Sequence, residues 1–332
     1  MKFIIFPGND DVFYKMFEEV NDAKKYPNIN IYKNIYTKYD DSIIRLRNKL
    51  SYHLILGGII NVLFDTFVSK LLKINKIEKN IQEDTCLIFS NLTFRLLPDY
   101  IIRQLLRNKY VYIAVYLLDS SSQCLCIEAV KKCLKHKIKF TYTFDSNDAT
   151  KYGFNHFYYI YSRLVKKSEK IDTNVMFFGS DKGRLEHLVR ISEEFKKQNI
   201  SSKISIIGVK DKVEESRDII INKPIPYIKM LEEIQKTKCI LDFVIENQTG
   251  LSYRPMEAIC YNKKLLTNNK SIFEFPYYNP QYMRYFSDIS QIDMEFLKRE
   301  ETVDYGYNGD YSPLNFIKRI ETDIKETQEI DI

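Results

Sequence analysis

The sequence predicts an α/β fold of two Rossmann-like parallel-sheet domains, and three observations lead to it. Short runs rich in β-branched and aromatic residues alternate with longer amphipathic runs along the whole chain. Several short runs are apolar at consecutive positions, as strands covered on both faces must be. At 332 residues the chain exceeds one compact domain, and a charged stretch, YSRLVKKSEKID (161–172), parts two such series. The expected domains are therefore 1–165 and 166–332. Two sheets facing a cleft suit this length better than one large sheet.

The first series opens with KFIIFPGND (2–10), a buried strand running into a proline–glycine loop, followed by a helical pattern over 11–25. CLIFS (86–90) and YVYIAVYLLD (110–119) are strands, 123–136 is a helix, and KFTYTFD (139–145) is a strand again. The second series begins with NVMFFGSD and a helix over 183–198, then KISIIGV (203–209) and a helix over 226–237. CILDFVI (239–245), a helix opened by SYRPMEAI and the strand KLLTNN (264–269) complete it. A last helix over 312–329 starts at Ser312–Pro313, a cap followed by a proline at the first helical position. Its stripe is Leu314, Ile317, Ile320 and Ile324. Periodicity does not tell which domain that helix packs on.

Residues 54–72, LILGGIINVLFDTFVSKLL, are the most apolar stretch. Asp65, Lys70 and the glycine pair argue against a spanning segment. Lysines and arginines flank it on both sides, so it reads either as a helix lying in an anionic membrane surface or as one buried against a sheet.

Fifty basic residues against forty-four acidic give a net charge of +6, compatible with an anionic substrate or lipid headgroup but small and dispersed. No long basic tract or nucleic-acid motif appears, so no nucleic-acid partner is expected. Six cysteines without framework spacing, and no signal-peptide pattern at the start, predict reduced thiols and a cytoplasmic location. Four scattered histidines give no paired metal-ligand spacing, so no metal or other cofactor is expected.

In parallel α/β sheets ligands bind where loops leave the carboxyl ends of strands. FFGSDKGRLEHLV (177–189) delivers Gly179, Lys182 and Arg184 to such a turn, where helix amides and basic side chains can cradle a diphosphate. After strand 239–245, the loop 246–251 delivers Gly250, then Arg254 and Glu257, three apart on one helix face. A carboxylate there can accept both hydroxyls of a ribose, or it can simply pair with Arg254. Asp119, Asp10 and Asp145, in that order, are candidate bases at strand ends, although an aspartate after a strand often only caps the next turn.

FFGSDKGRLEHL, ILDFVIENQTGLSYRPMEAI and KKLLTNN resemble bacterial glycosyltransferases of the two-domain GT-B architecture, in particular those of capsule, O-antigen and lipopolysaccharide synthesis. YLLDSS (116–121) and TFDSNDATKYGF (143–154) are similar to segments of the same family. The resemblance implies a nucleotide-sugar donor, a UDP-sugar first, with Glu257 on the ribose and Lys182 and Arg184 near the phosphates. It implies an acceptor hydroxyl on a lipid-linked saccharide or oligosaccharide, peripheral contact with an anionic membrane, and no required metal. A sugar-nucleotide epimerase and a non-catalytic assembly protein of the same fold are the alternatives.

Overall fold

The computed structural model describes residues 1–7, 11–32, 81–165, 170–210, 218–245 and 250–330. Gly8, Asn9, the candidate base Asp10, the stretch 54–72 and residues 246–249 of the second loop lie outside them. The chain divides into two compact units, the first comprising Met1–Ser162 and Tyr311–Ile332, the second Arg163–Asp310.

Among the described residues of the first unit, β1 (Lys2–Phe6), α1 (Asp11–Met16) and β2 (Ile29–Ile31) come first. They are followed by β3 (Thr85–Ser90), α2 (Asn91–Phe94), α3 (Asp99–Arg107), β4 (Val111–Leu117), α4 (Cys124–Lys135), β5 (Phe140–Thr143), α5 (Ser146–Tyr152) and β6 (Asn155–His156). The strands form one six-stranded sheet, ordered β2-β1-β3-β4-β5-β6 and parallel at every pairing. The helix expected over 11–25 stops at Met16. The Asp22 carboxylate accepts from the Lys24 amide at 2.9 Å, and that turn feeds the edge strand β2.

The run VYIAVYL shows why this sheet needs cover on both faces. Val111, Ile113, Val115 and Leu117 enter a core with Leu97, Ile102 and Val130. Tyr116 points the other way and meets Phe316 of the last helix, α10 (Pro313–Ile330), edge-on at 5.4 Å. Tyr142 meets the same ring at 5.2 Å, and its hydroxyl donates to Asp323 at 2.6 Å. The last helix thus packs on the first unit, starting where the Ser312 hydroxyl accepts from the Asn315 amide at 3.3 Å. Its buried stripe runs through Phe316, Ile317, Ile320 and Ile324, while Leu314 is only half-buried.

The second unit contains β7 (Thr173–Ser180), α6 (Leu185–Lys197), β8 (Ser202–Ile207), β9 (Ile219–Ile221), α7 (Tyr227–Gln235) and β10 (Thr237–Asp242). Next come α8 (Arg254–Tyr261), β11 (Lys264–Thr267), β12 (Met283–Tyr285) and α9 (Met294–Lys298). Its sheet is also six-stranded and parallel, ordered β12-β11-β10-β7-β8-β9. Two Rossmann-like units, each a parallel sheet with helices, are the domain plan of the GT-B architecture. The short strands β2, β6, β9 and β12 sit at or beside sheet edges, where three or so residues give no periodic signal.

Among the described residues no helix is long and apolar enough to cross a membrane. All six cysteines are outside disulfides, and only Cys124 is exposed.

Candidate functional site

In the second sheet the strand order reverses between β7 and β10, with β8 and β9 to one side and β11 and β12 to the other. That reversal opens a crevice at the carboxyl ends of the two strands. Both loops singled out in the sequence arrive there.

The first loop is a tight turn. Lys182 (φ 46°) and Gly183 (φ 83°) both lie in the left-handed region, and Lys182 is exposed. The Asp181 carboxylate accepts from the amide of Leu185, the first residue of α6, at 3.0 Å. Arg184 does not project outward; it folds back over the sheet. Its Nε donates to the Ser180 carbonyl at 2.7 Å, Nη1 donates to the Phe243 carbonyl, and the guanidinium lies 5.1 Å from the centre of the Phe177 ring. Arg184 therefore ties the end of β7 to the segment after β10. Gly179 makes this possible: a Cβ there would stand 2.8 Å from Arg184 Nη2 and 2.8 Å from the Phe177 ring.

The second loop answers with its own arginine. Arg254 Nη1 donates to Glu257, while Nη2 reaches across to the Phe178 carbonyl at 3.1 Å. The two segments are thus in direct contact. Beneath Arg254, which is 16 % exposed, Glu257 is 0 % exposed and also accepts from the Tyr227 hydroxyl at 3.4 Å. The carboxylate on the helix face is a buried partner of Arg254, with no oxygen at the surface in this state.

A third acid completes the cluster. Asp242, the last residue of β10, is buried and accepts from Ser252 at 2.7 Å and Thr267 at 2.9 Å. Ser252 in turn accepts from the Arg254 amide at 3.0 Å, so Asp242 sets the start of α8. Asn268 pairs with both backbone groups of Val244, at 2.7 and 2.9 Å, and Asn269 donates to the Gly250 carbonyl at 3.0 Å. Gly250 is buried in this frame, and its carbonyl is engaged by Asn269.

Burial dominates the electrostatics. It pushes the Asp242 carboxyl up, against the hydrogen bonds from Ser252 and Thr267. It pushes Glu257 up as well, opposed by the neighbouring Arg254 guanidinium. Burial also lowers Arg184, with Asp242 opposing and Arg254 reinforcing the shift. Two guanidinium groups close enough to influence one another, over two buried acids, make a charge-balanced cluster at a crevice. Such a cluster can receive an anion at its exposed side.

On the first unit, Asp119 is half-buried just beyond β4. Asn91, fully buried at the start of α2, accepts from the Leu118 amide at 3.0 Å and donates to Asp119 Oδ2 at 3.5 Å. Asp148, reached through Ser121 at 2.6 Å on both oxygens, pins the same loop to α5. Asp145 is 1 % exposed, and its Oδ1 accepts from the amides of Asn147 (3.0 Å) and Asp148 (3.3 Å). It caps α5. His156 bonds to the Phe144 carbonyl at 3.0 Å, and His187 stacks on Phe243 at 5.6 Å. Among the described residues no group of three or more His, Cys, Asp or Glu side chains is placed to hold a metal ion.

Asp242, Ser252, Tyr227, Asn268, Asn269 and Asn91 are not among the residues that the sequence pattern singles out. Asp242 did carry a signal, a lone acid inside the apolar run CILDFV. The others are ordinary polar residues whose roles depend on which strands become neighbours.

No family model and no curated protein matches the chain. Among solved structures it is similar to an alpha-glucosyltransferase in complex with UDP and a 13-mer DNA containing a HMU base. Identity is 12 %, over 80 % of this chain and 79 % of the other, with a TM-score of 0.47. A DNA modifying enzyme, beta-glucosyltransferase, is 13 % identical with full coverage of both chains and a TM-score of 0.43. The spinosyn forosaminyltransferase SpnP is 10 % identical over 90 % of this chain and 88 % of its own, with a TM-score of 0.46. Similarity at this level carries no chemistry across.

Proposed function

We propose that the chain is a glycosyltransferase that moves a sugar from a nucleotide-sugar donor, a UDP-sugar first, to a hydroxyl of a lipid-linked saccharide or oligosaccharide. The setting is bacterial surface-polysaccharide synthesis, in the cytoplasm and at the membrane periphery. The observation that supports this most is the pair Arg184 and Arg254 at the crevice between β7 and β10. A diphosphate bears its charge on oxygens that guanidinium groups match in geometry, and a low-dielectric rim strengthens that attraction. Exposed Lys182 adds a third positive charge on the turn.

In this reading the diphosphate is the leaving group, and Arg184, Arg254 and Lys182 stabilise its developing charge as the bond to the anomeric carbon breaks. Glu257 holds Arg254 in place. Its further role, accepting the ribose hydroxyls, requires Arg254 to move off it when donor arrives. In an inverting transfer Asp119 takes the proton of the acceptor hydroxyl as that oxygen bonds to the anomeric carbon. Asp145 already serves its helix and is the weaker base; Asp10 keeps its place as the second candidate.

The test is calorimetry of the purified chain with UDP, GDP, CMP and dTDP, followed by hydrolysis and transfer assays with the corresponding nucleotide-sugars. Binding of one nucleoside diphosphate and release of sugar support the reading. Binding with interconversion of the bound sugar and no transfer leaves the epimerase. No binding to any of the four leaves the non-catalytic assembly protein.

A further inference from the structure

The positive excess of the chain is not spread evenly. The stretches 99–110 and 124–140 hold eight basic residues and two acidic ones, an excess of six that equals the net charge of the whole chain. In the fold these stretches are neighbours. Asp99, at the start of α3, accepts from His136 at 2.8 Å and pairs with Lys135 at the end of α4. Leu106, near the end of α3, lines the same cavity as Lys137, Ile138 and Lys139 of the following turn. Lys132 is turned inward, onto the carbonyls of Arg95 and Leu97 at 2.8 and 2.5 Å, and Lys135 is held by Asp99. Arg103, Arg107, Lys109, Lys131, Lys137 and Lys139 are exposed.

Large apolar side chains stand among these charges. Tyr100 is 43 % exposed, Leu106 44 % and Leu134 48 %. An open cavity of about 620 Å³ beside Leu106 is walled by Leu106, Val111, Ile113, Ile138, Phe140 and Ile324. Nucleic acid would use the charges but not the leucines, because phosphate contacts are polar. A bilayer uses both: anionic headgroups attract the basic groups, and apolar side chains enter the acyl boundary.

We propose that this face, α3 with the end of α4 and the turn after it, docks the protein on an anionic lipid bilayer, the cavity taking an aliphatic chain. This deepens the lipid-linked acceptor reading and rests on it for its purpose. The surface lies outside the run 54–72.

The experiment is co-sedimentation of the full chain with phosphatidylcholine vesicles, with and without phosphatidylglycerol, across a salt series, and in parallel with duplex DNA. The wild type is expected to bind only the anionic vesicles, and less well as salt rises. At roughly 1 kcal/mol per lysine near such a surface, Lys137→Gln with Lys139→Gln weakens partitioning about thirtyfold. Leu106→Ser with Leu134→Ser weakens it without changing the salt dependence. Unchanged thermal unfolding shows that both variants fold. The proposal is overturned if wild type ignores anionic vesicles, if both double variants bind as wild type does, or if DNA is bound and vesicles are not. Nucleotide binding is measured in parallel by calorimetry. Its loss with vesicle binding retained would remove the donor reading and leave the surface standing.

Discussion

Arg254 spans two jobs with one guanidinium: Nη1 neutralises fully buried Glu257, three residues on, while Nη2 donates to the Phe178 carbonyl at 3.1 Å. One side chain thus fixes the start of α8 against the end of β7, and the two sequence segments cannot part without breaking the Arg254–Phe178 hydrogen bond and uncovering the Arg254–Glu257 pair.

Removing that acid should be costly. Glu257→Ala leaves Arg254 without its partner in a buried setting, for a loss of about 3–5 kcal/mol. Urea unfolding measures it. Arg254→Gln is expected to lower nucleoside diphosphate affinity about ten- to a hundredfold, the worth of a charge-assisted hydrogen bond. Calorimetry reads that, and an unchanged affinity would take Arg254 out of the donor site.

Gly179→Ala forces a methyl group against the Arg184 guanidinium and the Phe177 ring, each at 2.8 Å. Overpacking of this kind costs about 1–3 kcal/mol. The Arg184 guanidinium or the Phe177 ring has to shift, so donor affinity should fall together with stability. A thermal melt with and without nucleotide checks both.

Asp119→Asn should reduce turnover by about 10²–10⁴, the range of general-base contributions, with donor affinity intact. Because Asn91 holds both the Leu118 amide and Asp119 Oδ2, Asn91→Ala should lower turnover in the same direction. Steady-state transfer rates decide. A wild-type rate in Asp119→Asn passes the base to Asp10.

Asp99 supplies a pH signature. Burial alone would raise its carboxyl, but hydrogen bonds from Lys135 and His136 outweigh burial and bring it down to about 2. A carboxyl lowered by folding stabilises the folded state above its unfolded value of about 4, and that contribution fades as pH falls toward 2. Asp99→Asn should flatten acid unfolding between those values, as followed by circular dichroism.

Phe316 is the ring against which Tyr116, Tyr142 and Phe157 all pack. Phe316→Ala should destabilise the first unit by about 3–5 kcal/mol and leave nucleotide binding by the second intact. Denaturant unfolding alongside calorimetry separates the two effects.

The parallel sheets were legible because KFIIF, YVYIAVYLL, NVMFF and CILDFV are apolar at consecutive positions, a pattern only doubly covered strands need. The convergence of the segments around Arg184 and Arg254 was legible for a related reason: strand ends in such sheets share one edge. What the sequence hid was direction. Arg184 could have pointed to solvent from the first turn of its helix; it folds inward because Phe177, the Ser180 carbonyl and the Phe243 carbonyl together offer a seat. For Glu257 the spacing allows either a ribose acceptor or a partner for Arg254 three residues earlier; the structure shows the pair, with the carboxylate fully buried. The concentration of charge on α3 and α4 was hidden as well, since two dispersed stretches become one patch only when Asp99 meets His136.

Because α10 belongs to the first unit, the second unit sits in the chain as an insertion between two parts of the first. On a ribosome the sheet face carrying Tyr116 and Tyr142 must wait without its α10 cover while all of residues 163–310 emerge. Order of synthesis and order of completion are therefore opposed. The half begun first is the last to close, and a stalled or clipped product would present a bare aromatic surface that quality-control machinery can recognise.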